Sequence, residues 1–250
     1  MQIKSIEEGV ASRVFLLLSI LTYVGVFAYA AVTKAADGSY KILLLQSAIG
    51  SFLAYAPFIL ARRLHWHIPS PFYILYLAFL WSAIFLGEAL NFYYRFPLFD
   101  DVLHIVSSMM ACALGFSLFD ILSKAEKRDT RPLLEALFAF FFTVFMGVLW
   151  ELYEFSFDGI LGLNMQKFAT VVNGERGLTE LSGRHALFDT MTDLFTDTLG
   201  GTVVSLSGYI SSKRKRRLLR SFKISVKDSQ KTDKNNRSHH QSSKNKQNKA

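Results

Sequence analysis

Residues 188–201 read FDTMTDLFTDTLGG and hold three aspartates at four-residue spacing, Asp189, Asp193 and Asp197. The next residues, 201–210, read GTVVSLSGYI and continue as a predicted membrane span. Positions i, i+4 and i+8 lie on one side of a helix. Carboxylates that enter a bilayer are costly in free energy and mark functional sites. The three aspartates are therefore expected to face other polar groups of the protein rather than lipid.

The composition predicts a helical membrane protein. Of the 250 residues, 51% are hydrophobic and 23 are Phe, and the apolar residues come in long blocks rather than stripes. A block of about 20 apolar residues crosses a bilayer as one helix. Six spans are predicted, at residues 14–32, 42–60, 72–93, 102–122, 133–155 and 189–210. The predicted fold class is all-α, a polytopic transmembrane helical bundle of about six spans.

Basic residues in the predicted loops orient this bundle. Loops that remain in the cytoplasm carry an excess of Lys and Arg. Three predicted segments show the excess, with Arg62 and Arg63 before the third span, four basic residues at 124–131 before the fifth, and KRKRR at 213–217 after the sixth. All three fall on the side of the N-terminus. Both termini are therefore expected in the cytoplasm, and the protein is expected to be multi-pass in the bacterial plasma membrane.

Charge divides the chain into two predicted parts. From Lys213 onward 14 Lys and Arg stand against two Asp, a formal charge of +12, which leaves −4 for the other residues. Residues 1–212 are predicted to form the membrane domain. Residues 213–250 are predicted to form a disordered cytoplasmic tail, because they hold few apolar residues. The tail is expected to contact anionic lipid, and nucleic acid is not expected because the basic run borders a span.

Ionisable residues gather at the predicted outer ends of spans three to six. This group consists of Glu88, Asp100, Asp101, His104, Glu151, Glu154, Asp158, Asp189, Asp193 and Asp197. One ionised residue at the centre of a span costs about 2.5–3.5 kcal/mol on insertion scales. Several together would outweigh helix packing unless they faced inward, shared protons or met cations. We infer one polar cavity, lined by spans three to six and open to the outer side.

Three chemistries suit such a cavity. Carboxylates with one imidazole are ligands for Mg²⁺, Mn²⁺, Fe²⁺ or Zn²⁺, and the expected metal ligands are Asp100, His104, Glu151 and Asp193. Crowded carboxylates also suit acid–base catalysis, because their pKa values are pushed apart. The expected catalytic groups are Glu151, Glu154, Asp189 and Asp193. An ion or proton path along the three aspartates of the last span is the third chemistry, and a purely structural network is the alternative to all three.

The long loop between the fifth and sixth spans, roughly residues 157–187, is expected to lie over the cavity. Arg184 lies five residues before Asp189. A guanidinium in this position is suited to hold a phosphate or carboxylate of a substrate. An ion pair between Arg184 and one of the acids is the equal alternative. Covalent catalysis by Ser or Cys has little support, because the residues of the cavity offer no thiol, no nucleophile elbow and no phosphate-binding glycine loop.

Short motifs resemble two known families. Residues 100–104, DDVLH, resemble the Asp-x-x-x-His that opens a span in the VanZ-like family and in the YjdF-type family of uncharacterised bacterial inner-membrane proteins. Residues 150–154, WELYE, and 189–193, DTMTD, are similar to the Trp-Glu-x-x-Glu and Asp-Thr-x-x-Asp of the YjdF type. Residues 193–200, DLFTDTLG, have the VanZ-like spacing Asp-x-x-x-Asn-x-x-Gly, with Asp197 in place of the Asn.

The resemblance covers roughly residues 72–210 and favours the YjdF type. It implies a multi-spanning protein of the cell envelope, and VanZ-like proteins are linked to glycopeptide-antibiotic tolerance. Neither family supplies a reaction. The leading hypothesis is an outward-facing carboxylate and histidine site that binds a divalent metal and acts on an envelope lipid or lipid-linked substrate. A proton- or cation-coupled transporter and a non-catalytic structural or accessory protein are the alternatives.

Overall fold

The structure is a computed structural model and describes residues 10–33, 39–126, 131–172, 175–213 and 222–226. Seven α-helices occupy these parts of the chain: α1 (Val10–Thr33), α2 (Ser39–Arg63), α3 (Ser70–Trp81), α4 (Phe92–Arg95), α5 (Phe99–Ala125), α6 (Pro132–Leu161) and α7 (Phe188–Lys213). A π-helical segment, Ser82–Ala89, continues α3. Four short strands complete the fold: β1 (Trp66–His67), β2 (Ala169–Val172), β3 (Glu175–Glu180) and β4 (Ser225–Val226).

Five segments of the described chain are long and apolar enough to cross a membrane, which confirms the predicted class. They are Val10–Val32, Leu44–Arg63, Ser70–Ala89, Phe99–Ala125 and Pro132–Leu161. Helix α7, the sixth predicted span, has 26 residues, about 39 Å at 1.5 Å per residue. Its aspartates lower its hydropathy, so it is not among the five. The crossing of the membrane by α7 therefore stays a prediction.

The long helices pack as two groups of three. Tyr23 of α1, Ala54 of α2 and Leu77 of α3 are fully buried in one apolar cluster. Cys112 of α5 and Ala139 of α6 are fully buried in a second cluster, which α7 completes. The second group, here called the α5–α7 bundle, holds most of the ionisable residues that the sequence singled out.

Small residues let the helices of the α5–α7 bundle approach closely. A Cβ added at Gly200 of α7 would stand 2.8 Å from the carbonyl oxygen of Ile105 in α5. The Ser205 hydroxyl of α7 donates a hydrogen bond of 2.9 Å to the Ala136 carbonyl of α6. Glycine and serine at helix contacts are typical of membrane bundles, where van der Waals packing and interhelical hydrogen bonds drive association.

The third span ends earlier than residue 93, the end that its apolar pattern predicts. The π-helical segment stops at Ala89, and Asn91 has a left-handed backbone with φ 62°. The chain then turns into the short α4. The ring of Tyr93 lies directly against Gly87, in space that a side chain at position 87 would fill. A π-helical turn widens a helix locally and is common at functional sites.

The loop after α6 carries its own hairpin. Gly162 ends α6 with φ 69°, a left-handed conformation that glycine adopts without steric cost. Strands β2 and β3 then pair antiparallel, with Ala169 opposite Glu180. Asn164 closes the turn before β2, because its side chain accepts from the Ala169 amide at 2.9 Å and donates to the Ala169 carbonyl at 3.1 Å. This local bonding fixes the backbone that enters the site described below.

Residues 222–226 of the basic tail pack against the helices, so the expected disorder does not apply to these five residues. Strand β4 pairs antiparallel with β1, and Trp66 lies opposite Val226. Ile224 is only 3% exposed and lies in the apolar cluster of α1 to α3. Its amide donates a hydrogen bond of 3.0 Å to the Ser117 hydroxyl of α5. Residues 214–221 and 227–250, on which the prediction of anionic-lipid contact also rests, lie outside the described residues.

Ion pairs add to this docking. The Lys223 ammonium lies 3.3 Å from a carboxylate oxygen of Asp120 and 3.7 Å from one of Glu135. Asp120 also pairs with Lys124 at 2.8 Å. The docked segment therefore bridges α5, α6 and the connection between α2 and α3 at one end of the molecule. This end also carries Arg62 and Arg63 at the end of α2.

The close contact between α5 and α7 predicts that Gly200→Ala lowers the free energy of unfolding. The new Cβ would stand too close to the Ser108 hydroxyl and 2.8 Å from the Ile105 carbonyl, and overpacking of this kind costs about 1–3 kcal/mol. Gly25→Ala is the matched control, because nothing lies within 4 Å of its added Cβ. Thermal unfolding of both variants in detergent measures the difference. Equal midpoints would contradict close packing of α5 on α7.

The docked tail segment predicts that Ile224→Ala exposes the chain at Lys223 to trypsin. Truncation of a buried Ile to Ala costs about 2–5 kcal/mol, and each 1.4 kcal/mol raises the open fraction about tenfold. Cleavage at Lys223, followed by mass spectrometry, is expected to accelerate at least about tenfold. Ile210→Ala is the control, because Ile210 is 45% exposed. Cleavage at the wild-type rate in Ile224→Ala would show that the segment is not docked.

Candidate metal centre

The ionisable residues meet at one end of the α5–α7 bundle. Helices α5 and α7 begin at this end and α6 ends there, so side chains from the first turns of two helices face the last turns of the third. Asp193, Glu151 and Glu154 are buried, with exposed fractions of 1%, 6% and 6%. The inward-facing acidic cluster that the spacing predicts is therefore present in the structure.

Three side chains bring donor atoms together. One donor atom each of Asp100, His104 and Asp193 lies within 4.8 Å of the others. The His104 Nε2 atom is 3.8 Å from Asp100 Oδ1 and 3.9 Å from Asp193 Oδ2. These distances exceed a hydrogen bond. They approach the separation of about 3–3.5 Å between donors that bind one cation at about 2.0–2.2 Å.

Asp197 faces the other side of the imidazole. Its Oδ1 atom is 3.4 Å from His104 Nδ1, and Nδ1 has no hydrogen-bond partner. Asp197 occupies the space beside Gly147 of α6, where any side chain at position 147 would collide with its carboxylate. A carboxylate at Nδ1 favours the tautomer whose Nε2 lone pair is free to bind a cation. The four-residue spacing predicted that Asp197 shares a helix face with Asp189 and Asp193, but it did not predict the contact with His104.

Several buried polar atoms of the cluster lack a hydrogen-bond partner. They are the carboxyl oxygens Asp193 Oδ2, Asp189 Oδ2, Glu151 Oε1 and Glu154 Oε2. A buried polar group without a partner costs about 1–3 kcal/mol, and a buried charge costs more. Four such oxygens in one cluster can accept hydrogen bonds from protons shared among the carboxyl groups, or they can bind a cation.

Lys167 brings a positive charge to the cluster. Its ammonium lies 2.6 Å from Asp100 Oδ2 and 2.7 Å from Asp189 Oδ1, and its side chain is 26% exposed. Burial lowers the pKa of the Lys167 ammonium, but the carboxylates of Asp100 and Asp189 raise it by more. The net effect is a pKa above the ordinary value for lysine. The amine is therefore charged at neutral pH and neutralises part of the negative charge of Asp100 and Asp189.

The two glutamates of α6 have one hydrogen-bonded oxygen each. The Gln166 amide donates to Glu151 Oε2 at 3.3 Å and to the Thr190 hydroxyl at 2.9 Å. The Trp150 indole donates to Glu154 Oε1 at 2.8 Å. Glu151, a predicted metal ligand, is not among the three residues whose donors converge. The free oxygen of each glutamate remains available for acid–base chemistry or for a cation.

Asp158 has a structural role at this end. Its two carboxylate oxygens accept hydrogen bonds from the amides of Met165 at 2.7 Å and Gln166 at 3.0 Å. These bonds fix the backbone on which Gln166 and Lys167 stand. Asp158 shares a helix face with Glu151 and Glu154, but it holds the loop rather than joining the converging donors.

The loop places Gln166 and Lys167 against the cluster, whereas the sequence favoured Arg184. Arg184 lies exposed in the short turn Gly183–His185, whereas Lys167 pairs with Asp189. The anion-binding role of Arg184 stays a prediction. Gln166 and Lys167 were missed because the sequence around them carries no motif. The only available signal was the presence of a basic residue in a loop too long for a simple connection.

Comparisons with known proteins agree with the membrane architecture. A family model described as predicted membrane protein (DUF2238) matches residues 15–214. An uncharacterised protein of Thermotoga maritima is 29% identical over 156 residues, which cover 61% of this chain and 71% of that protein. No solved structure matches. The expected membership of an uncharacterised bacterial membrane-protein family is confirmed, whereas the likeness to VanZ-like proteins stays one of short motifs.

Proposed function

The chain belongs to the DUF2238 family of predicted membrane proteins, and we propose that it binds a divalent cation through Asp100, His104 and Asp193. The observation that carries the proposal is the convergence of these donors within 4.8 Å in a buried, acid-rich cluster. Asp197 supports the site as the residue that orients His104. A carboxylate beside a histidine ligand typically raises metal affinity about 10–100-fold.

Electrostatics supports a cation rather than a purely structural network. The cluster contains six carboxyl groups, Asp100, Glu151, Glu154, Asp189, Asp193 and Asp197, and the described residues around it include only Lys167 and His104 as bases. Burial of uncompensated charge costs several kcal/mol per ion. Two oxygens and one imidazole nitrogen suit Zn²⁺, Mn²⁺ or Fe²⁺ and also admit Mg²⁺. A bound dication would neutralise part of the excess charge.

The proposed reaction is metal-assisted chemistry on an envelope lipid or lipid-linked substrate. The metal would polarise a substrate oxygen or lower the pKa of a bound water. Glu151, Glu154 and Asp189 lie beside the converging donors and would transfer protons, with Asp193 shared between metal binding and catalysis. Arg184 would hold an anionic group of the substrate. The membrane setting supports a lipid-borne substrate, because the cluster lies at the end of predicted membrane-spanning helices.

The proposed outward orientation follows from the basic residues. Arg62, Arg63 and the docked tail segment lie at the opposite end of the molecule from the acidic cluster. Positively charged segments remain in the cytoplasm, so the cluster would face the outer side of the membrane.

A cation-coupled transporter is the weaker proposal. It would need a polar route from the cluster to the opposite end of the bundle. Instead, the helices meet closely there: a Cβ added at Gly201 would lie 3.0 Å from Thr143, and Gly208 lies against the ring of Phe116. This packing favours a site that opens at one end.

The metal proposal predicts that purified wild-type protein binds one Mn²⁺ and that His104→Ala abolishes binding. Asp197→Asn is expected to weaken binding about 10–100-fold without changing the stoichiometry, because it removes the charge that orients the imidazole. Equilibrium dialysis with Mn²⁺ followed by elemental analysis measures both. His185→Ala is the control, since His185 is exposed at the same end of the molecule. Undiminished binding in folded His104→Ala would overturn the proposed site.

The orientation predicts which exposed positions a membrane-impermeant maleimide reaches in intact cells. A cysteine that replaces Arg184 is expected to be labelled, and one that replaces His65 is expected to react only after permeabilisation. Both side chains are exposed, at opposite ends of the molecule. The native Cys112 is buried and gives a low background. Labelling of position 65 alone in intact cells would reverse the orientation.

A further inference from the structure

We propose that the Lys167 ammonium occupies a second cation position, bridged by Asp100 to the first. The inference deepens the metal site of the preceding section and rests on it. Asp100 divides its two oxygens between two neighbours: Oδ1 faces His104 Nε2 at 3.8 Å, and Oδ2 binds the Lys167 ammonium at 2.6 Å. A carboxylate shared in this way is the usual bridge between paired cations about 3.5–4 Å apart.

The place that the Lys167 ammonium occupies, called the outer position below, is bounded by the carboxylates of Asp100 and Asp189. Asp189 Oδ1 lies 2.7 Å from the Lys167 ammonium, and Asp189 Oδ2 is buried without a partner. Glu151, which is linked to this position through Gln166, has a further buried oxygen without a partner, Oε1. Gln166 ties the other oxygen of Glu151 to Thr190, the neighbour of Asp189. Divalent cations bind carboxylate oxygens at about 2.0–2.6 Å, so the oxygens that now hold the ammonium would need to move inward by only a few tenths of an ångström.

Two features of Lys167 would allow a cation to displace its ammonium from the outer position. Its side chain is 26% exposed, and it stands on a loop rather than on a helix, with a left-handed φ of 46°. A lysine side chain loses much of its conformational freedom when it is held in one position. Release of the ammonium would return this freedom, while a second dication would replace its charge. Lys167 thus competes with the second cation, and its departure would open the aqueous end of the cluster.

Charge balance favours a cation over an anion at this position. Even with one dication at Asp100, His104 and Asp193, the surrounding carboxylates outnumber the positive charges of the described residues. An anion that approached Lys167 would meet Asp189 and Asp100 at once. A second dication is therefore the ligand that the geometry and the charge both support.

The test is the Mn²⁺ stoichiometry of Lys167→Met in purified full-length protein. Wild type is expected to bind one Mn²⁺ at low concentration, because the tethered ammonium holds the outer position. Lys167→Met is expected to bind two, with an exchange-coupled electron paramagnetic resonance signal that reports ions about 4 Å apart. Asp189→Asn in the Lys167→Met background is expected to return the count to one, since it removes the outer ligand and leaves the inner donors intact.

Two matched variants control for charge and for folding. Lys167→Arg keeps the positive charge and is expected to bind one Mn²⁺, like wild type. Lys124→Met removes a lysine that pairs with Asp120 at the far end, where its side chain is 72% exposed, and is also expected to leave the count at one. Circular dichroism and thermal unfolding verify that each variant is folded.

The outcomes separate the two proposals. One Mn²⁺ in wild type and still one in folded Lys167→Met overturns the second position but leaves the first intact. A second outcome is that wild type binds no Mn²⁺ and Lys167→Met binds one. If Asp189→Asn then abolishes this binding and His104→Ala leaves it unchanged, the first position is overturned and the outer one is retained. Two uncoupled ions in Lys167→Met, insensitive to Asp189→Asn, would place the second ion elsewhere and overturn the bridge through Asp100.

Discussion

The burial of more carboxylates than bases at one end of a helical bundle is the constraint on which the rest of the structure depends. Water would stabilise these charges, but the side chains of Asp193, Glu151 and Glu154 are almost fully enclosed. The chain responds by drawing in Lys167 from a loop and by aligning His104 with aspartates on both sides. Even so, several acid oxygens remain without partners. The proposed cation would lower the free energy of that arrangement, and the loop, the histidine and the acids form one electrostatic unit.

Close helix contact and the polar cluster depend on each other. Gly147 leaves the space in which Asp197 stands beside His104, so a packing residue on α6 sets the position of a polar residue on α7. Farther along the same helices, Gly200 and Gly201 bring α7 against α5 and α6. Because lipid offers no hydrophobic drive for helices to associate, such contacts contribute most of the packing energy available in a membrane. The bundle is consequently polar at one end and tightly filled toward the other.

The sequence predicted the parts of the structure that follow from repeated patterns. Apolar blocks placed the helices, and four-residue spacing placed Asp100, His104 and Asp193 on faces that meet. Contacts made by loops could not be found in this way, because nothing in the residues around Lys167 distinguishes an ion pair with a distant helix from a solvated side chain. The third span was predicted too long, since hydropathy does not register a π-helical turn or the left-handed Asn91. The docking of residues 222–226 was also missed, because the composition around Ile224 is polar. It depends on one buried apolar side chain and a two-residue strand.

The pairing of β4 with β1 has a consequence for the order of assembly. Residues 222–226 follow every predicted span in the chain, so the edge of β1 and the Ser117 hydroxyl gain these partners only after the spans have been synthesised. The apolar clusters of α1 to α3 and of α5 to α7 are distinct, although Leu114 and Ile121 of α5 also pack against the first of them. Ile224, which is buried among α1 to α3 while its amide donates a hydrogen bond to Ser117 of α5, adds a further link between the two groups. Because this short strand needs β1 from one group and Ser117 from the other, it can dock only where both groups present these parts on the same side.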